Sequence, residues 1–139
     1  MNKLTWRAAA GVTVLLVLGA FAVLAAAPDL AGTYQGEWSG ASGAAGQLRV
    51  ELEKNPEGEW KCVVVFTMDG EQYKTRMKSV KVDGAKLEAG YEFDMGGTAL
   101  QSTLSGELQE GVLEGKYRTV TVSGATPVDE GVWKAKAKP

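Results

Sequence analysis

A chain of 139 residues suits one domain plus a leader. Its formal net charge of −2 offers no broad basic face for nucleic acid, and its lack of any His removes the commonest general base and the commonest metal ligand. Gly supplies 18 residues without a collagen period, which points to turn-rich β structure, and the single Cys62 excludes an intrachain disulfide and a Cys-rich zinc site.

Met1 to Ala27 reads as an export leader. Lys3 and Arg7 form a positive start, Val12 to Leu24 is the most apolar part, and small residues follow. Val23-Leu24-Ala25 ahead of Ala26 fits a signal-peptidase site, which makes residues 1–25 a signal peptide. The alternative is an uncleaved membrane anchor, since the apolar run is long enough to span a bilayer. Either reading keeps the positive end inside and puts residues 28–139 outside the cytoplasm, periplasmic or secreted. The apolar run carries no Cys for lipid attachment. In an oxidising compartment Cys62 must be buried, capped or paired between chains, and its valine-rich setting favours a buried, inert thiol.

Gly32 to Trp38, GTYQGEW, opens the folded part. Tyr34 and Trp38 point one way and Thr33, Gln35 and Glu37 the other, the period of a half-buried strand. Ser39 to Gly46, SGASGAAG, is by composition a flexible loop that either covers a mouth or is unconstrained. Gln47 to Glu53 alternates, with Leu48, Val50 and Leu52 on one face. Asn55 to Gly58 is a turn. Glu59 to Met68 is the most apolar strand, and Asp69-Gly70 is a hairpin signal. Gln72 to Val82 reads as one long strand with Tyr73, Thr75 and Met77 opposite Lys74, Arg76 and Lys78. Its pattern slips near Ser79 and Val80, where a bulge is expected. After Asp83-Gly84, the run Lys86 to Met95 alternates Leu87, Ala89, Tyr91, Phe93 and Met95 against charged residues. Leu100 to Leu108 is a sixth strand, Val112 to Val122 a seventh, and Asp129 to Ala137 an eighth.

This spacing predicts an all-β fold: an eight-stranded antiparallel up-and-down β-barrel over 28–139, preceded by the N-terminal signal or anchor helix. An open meander would leave two long edges exposed, and closure removes them. The first and last strands, each with a Gly two residues before a Trp, are expected to pair. Interior Gly36, Gly90, Gly106, Gly115 and Gly131 fit tight coiling, where a missing Cβ lets a strand bend or a ring lie across it. Ordinary flexibility or turn chemistry is the alternative at each.

Gly36-Glu37-Trp38, with the leader and eight alternating strands, resembles the calycin-like barrels: lipocalins, fatty-acid-binding proteins and avidins. The resemblance implies a binding module for a small hydrophobic ligand. Lipocalins lay a basic side chain from the last strand over that Trp, which here implies Lys134 or Lys136, although Trp133 and Ala135 take the inward positions and the strand has no Arg. The chain also resembles the small periplasmic inhibitors of bacterial metalloproteases, which carry a disulfide that this chain lacks. That likeness implies the second reading, a protein-interaction barrel with no small-molecule ligand.

The candidate ligand-binding residues are Tyr34, Trp38, Phe66, Met77, Tyr91, Phe93 and Tyr117, with Met95 beside them. They either line a pocket for a small apolar or amphipathic ligand or fill the barrel solid. Lys74, Arg76 and Lys78, with Lys61, Lys81 and Lys86 near them, form a basic stripe. It either attracts an anionic partner or pairs across strands with Glu53, Glu88 and Glu92. No Ser sits in a nucleophile-elbow pattern, and no carboxylates are spaced as a calcium loop. The expectation is therefore no catalytic residue, no metal and no cofactor, with contact to a membrane only through an uncleaved leader. An outer-membrane barrel is disfavoured by short loops, missing aromatic girdles and Lys-rich strand ends.

Overall fold

The structure, a computed structural model, describes residues 29–139. The leader, with the choice between signal peptide and anchor helix, lies outside the described residues. The described residues form strands and turns only, in one antiparallel sheet of nine strands. These are β1 Gly32–Gly40, β2 Ala45–Lys54, β3 Trp60–Met68, β4 Glu71–Lys74, β5 Arg76–Asp83, β6 Lys86–Met95, β7 Thr98–Gln109, β8 Val112–Thr121 and β9 Pro127–Ala137. Their spatial order is β4-β3-β2-β1-β9-β8-β7-β6-β5.

The expected count of eight is corrected to nine. The long run after Asp69-Gly70 divides at Thr75, because its two halves pair with different neighbours: β4 with β3, and β5 with β6. The Thr75 hydroxyl donates to the Val64 carbonyl on β3, 2.8 Å away. The sheet curls, and its ladder stays open between β4 and β5, which stand at its two edges although one residue joins them. The rings of Phe66 on β3 and Phe93 on β6 lie 5.0 Å apart, so the two ends of the sheet face each other through the core. The expected bulge falls on β5, where the register against β6 shifts between Met77 and Ser79.

First and last strands pair as expected, with Trp38 opposite Trp133 and Gly36 opposite Ala135. Alternation then decides what the curled sheet encloses. Leu48, Val50 and Leu52 of β2, Cys62, Val64 and Phe66 of β3, and Leu87, Ala89, Tyr91 and Phe93 of β6 are all buried. Tight turns set the register. Asp69-Gly70, Gly96-Gly97 and Glu110-Gly111 each place two successive residues at positive φ, the backbone of a type I′ hairpin that matches strand twist.

The two ends of the sheet differ. At the end where β1 begins, Leu30 is 1% exposed and its carbonyl accepts the Tyr34 hydroxyl at 2.8 Å, so the segment before β1 plugs that end. At the other end lie the β1–β2, β3–β4, β6–β7 and β8–β9 turns, and there the core is not filled.

Candidate functional site: a half-open aromatic cavity

The unfilled end holds a cavity of about 260 Å³. Its apolar side is built by Trp38 of β1, Leu48 of β2, Phe66 and Met68 of β3, and Phe93 and Met95 of β6. Trp38 stands edge-on to Phe66 at 6.0 Å and to Tyr117 of β8 at 5.8 Å. Phe66 in turn stacks on Tyr73 at 5.2 Å. These contacts hold the rings in fixed offset and edge geometries. The Trp38 indole N–H donates to the Thr67 carbonyl at 3.0 Å, which locks the ring at the rim.

A polar row runs across the strands beside this apolar side. Tyr91, Ser102, Thr119 and Asp129 are successive cross-strand partners on β6, β7, β8 and β9, and all four line the cavity. Ser102 and Thr119 are buried, and their hydroxyl oxygens lie 2.6 Å apart, a strong hydrogen bond. Burial pushes the Tyr91 phenol up to about 12, although the neighbouring Ser102 hydroxyl partly offsets it. The phenol is therefore neutral at any physiological pH.

At the rim the Tyr117 hydroxyl donates to Asp129 Oδ2 at 3.0 Å, and the Ser42 backbone N–H donates to Asp129 Oδ1 at 3.1 Å. Burial raises the Tyr117 pKa, and the Asp129 carboxylate raises it further. For Asp129 itself burial acts upward, but the donors from Ser42 and Tyr117 outweigh it, and its carboxyl is held below the usual range. The rim thus carries a fixed carboxylate. Gly40 makes room for it, because a Cβ at that position would collide with the Asp129 carboxylate.

Ser39 to Gly46 is not the flexible loop that its composition predicts. Ladder pairing takes up both flanks, which leaves Ala41 to Ala44 as the turn. That turn is tied to β9, since Ala41 N–H donates to the Glu130 carbonyl at 2.8 Å in addition to the Ser42–Asp129 bond. It does border the mouth, through Ser42 and Ala44.

Of the expected ligand-binding set, Trp38, Phe66, Tyr91, Phe93 and Tyr117 line the cavity. Tyr34 lies at the plugged end, and Met77 packs half-buried against the core without reaching the cavity. The cover implied for Trp38 by the lipocalin likeness is corrected. Lys134 and Lys136 are exposed, Lys134 faces Glu114 at 3.8 Å, and the space beside Trp38 belongs to Phe66 and Tyr117. Along the basic stripe Lys78 pairs with Glu92 at 3.7 Å and Arg76 with Asp94 at 3.1 Å. Exposed pairs of this kind contribute little to stability. Cys62 is buried, and burial pushes its thiol up to about 12, so thiolate chemistry is suppressed.

Sequence reasoning missed Ser102, Thr119 and Asp129. The available signal was three polar residues in the inward phase of β7, β8 and β9, between Leu100 and Leu104, beside Tyr117, and ahead of Trp133. No protein-family model matches the chain, and comparison with curated proteins returns no match.

Proposed function

We propose that this protein is an exported binding module that holds one small apolar or amphipathic molecule in the cavity between Trp38, Phe66 and the Ser102–Thr119 pair. The observation that carries this reading is the asymmetry of the core. One end is plugged by Leu30, and the other keeps about 260 Å³ of aromatic-lined space. An apolar cavity of ~150 Å³ already takes up benzene. The space therefore suits a molecule of one or two rings rather than a long acyl chain. Mostly apolar walls with a few convergent polar groups are the usual composition of a ligand pocket.

The curled sheet supports a calycin-like architecture in which the run from Glu71 to Asp83 serves both edges as a single bent strand and the ends meet as a barrel. The leader supports delivery outside the cytoplasm. We read the module as a binder rather than an enzyme. Asp129 is committed to Tyr117 and Ser42, and a carboxylate held low is a weak proton acceptor at neutral pH.

Native mass spectrometry of the exported protein tests the reading, together with titration of an environment-sensitive hydrophobic fluorophore. The expected result is one molecule per chain, with uptake abolished by Leu104→Trp or Leu48→Trp, which fill the cavity. A protein that folds normally and takes up no apolar probe would refute the binding reading and favour the interaction barrel.

A further inference from the structure

The ligand-binding reading leaves open what chemistry the cavity prefers, and the placement of charge around it answers that. Among the residues that line it, Asp129 is the one carboxylate, and none is Lys or Arg. The basic residues next to the lining in sequence, Arg49, Lys116, Arg118 and Lys134, all sit in the outward phase of their strands; Arg49 pairs with Glu51 and Lys134 with Glu114, and Lys116 and Arg118 are exposed. An anion entering this space leaves water for aromatic walls, finds no countercharge, and meets Asp129 at the rim. A buried, unpaired charge of that kind is strongly disfavoured.

A cation meets the opposite situation. Asp129 is oriented by two donors, one on each oxygen, and a carboxylate has lone pairs beyond those two bonds. The Tyr117 hydroxyl is bonded to this carboxylate, and Trp38, which lines the same cavity, meets the Tyr117 ring edge to face with centroids 5.8 Å apart; an aromatic face near a carboxylate reinforces attraction for an ammonium group. Asp129 is only half-buried, so the ammonium keeps part of its hydration while the ring goes inward. Gly40 shows that this corner is built to close tolerance, because any side chain there would displace the carboxylate.

Resting on that binding reading, we propose that the cavity selects by charge. It takes a compact arylalkyl cation, with its ammonium against Asp129 and its ring between Trp38, Phe66 and Phe93, and it rejects the carboxylate of the same shape. The hydroxyls of Ser102 and Thr119, next along the polar row, then face the edge of the ring and receive a polar ring substituent where one is present.

The test uses three probes of one shape with the full exported protein: 1-naphthylmethylamine, 1-naphthylmethanol and 1-naphthoate, titrated by calorimetry at neutral pH. The amine is expected to bind roughly tenfold or more tighter than the carboxylate. Its advantage should shrink as salt is raised, and Asp129→Asn should bring the amine-to-carboxylate ratio toward one. The ratio in the unaltered protein needs no variant, so a misfolded substitution does not rescue the idea. Equal affinities, or a tighter carboxylate, would overturn charge selection while leaving the cavity's ligand-binding role standing. Failure of all three probes to bind would overturn both.

Discussion

The ring of Trp133 occupies the space that a side chain at Gly106 would need: a Cβ built there would stand 2.5 Å from Trp133 Cζ2. The indole N–H is shared between the carbonyls of Ser105 on β7 and Lys116 on β8, at 3.1 and 3.2 Å. One side chain on β9 therefore clamps two further strands, and it does so only because Gly106 has no Cβ. Gly106→Val is expected to destabilise the fold by about 1–3 kcal/mol through overpacking. Chemical denaturation measures this. Gly106→Val as stable as the parent would mean that the ring does not rest where described.

Ser102 and Thr119 hold each other across β7 and β8. Removing one hydroxyl leaves the other buried without its partner, at a cost of about 1–3 kcal/mol, whereas replacing both by apolar groups of similar shape is close to neutral. Ser102→Ala and Thr119→Val should each destabilise, and the double variant should recover most of the loss. A double-mutant cycle in urea reads the coupling. Strictly additive losses would show that the pair, 2.6 Å apart, is not an energetic unit.

Much of this architecture is legible in the chain, and the reason is solvent. Leu87 to Met95 has one dry face and one wet face, so its period of two survives in the sequence and marks the inward set. The pairing of β1 with β9 is visible through Trp38 and Trp133. What local pattern cannot show is which residue of one strand lies opposite which residue of the next. The row Tyr91, Ser102, Thr119 and Asp129 exists only through three successive registers, and within each strand its polar members look like ordinary alternation. The division at Thr75 is hidden for a similar reason. Tyr73, Thr75 and Met77 keep the inward phase straight through it, while the hydrogen-bonding partner changes. Ser39 to Gly46 misleads in the other direction, since its small residues read as freedom but serve close approach of Gly40 to Asp129 and of Gly46 to the Thr67 carbonyl.

Alkaline pH should unfold this protein through its tyrosines. Burial raises the phenols of Tyr34, Tyr91 and Tyr117 above the unfolded value of 10.0. For a raised group the folded state holds its proton more tightly than the unfolded state does. Its contribution to stability is thus complete below about pH 10 and is lost as the pH rises from there through the folded values. Tyrosinate absorbance from these three of the four tyrosines should stay low until the chain opens and then appear together with loss of the β-sheet circular dichroism signal, with the half-buried Tyr73 removed by Tyr73→Phe. A smooth titration of the remaining three near pH 10 with the sheet intact would contradict the burial of these rings.

Cys62 gives an independent probe of opening. It is 4% exposed, and its thiol is pushed up by burial. A neutral disulfide reagent should label it only as fast as the domain unfolds, with the rate rising in step with denaturant. Rapid stoichiometric labelling of the native protein would place this thiol outside the core.

Glu110 is the residue where a substitution should help. It sits at φ 51° as the first central residue of the β7–β8 turn, with Gly111 at φ 78° following. A left-handed conformation costs an ordinary L-residue on the order of 1 kcal/mol, and type I′ turns favour Asn-Gly because Asn tolerates that region. The Glu110 carboxylate is exposed and makes no ion pair among the described residues, so little is lost by replacing it. Glu110→Asn should therefore stabilise the fold by about 0.5–1 kcal/mol, and Glu110→Pro should weaken it, since Pro cannot reach positive φ. Thermal unfolding of both variants decides this. If Asn lowers the midpoint and Pro leaves it unchanged, the turn is not left-handed, and the register of β7 on β8 that aligns Ser102 with Thr119 must be reassigned.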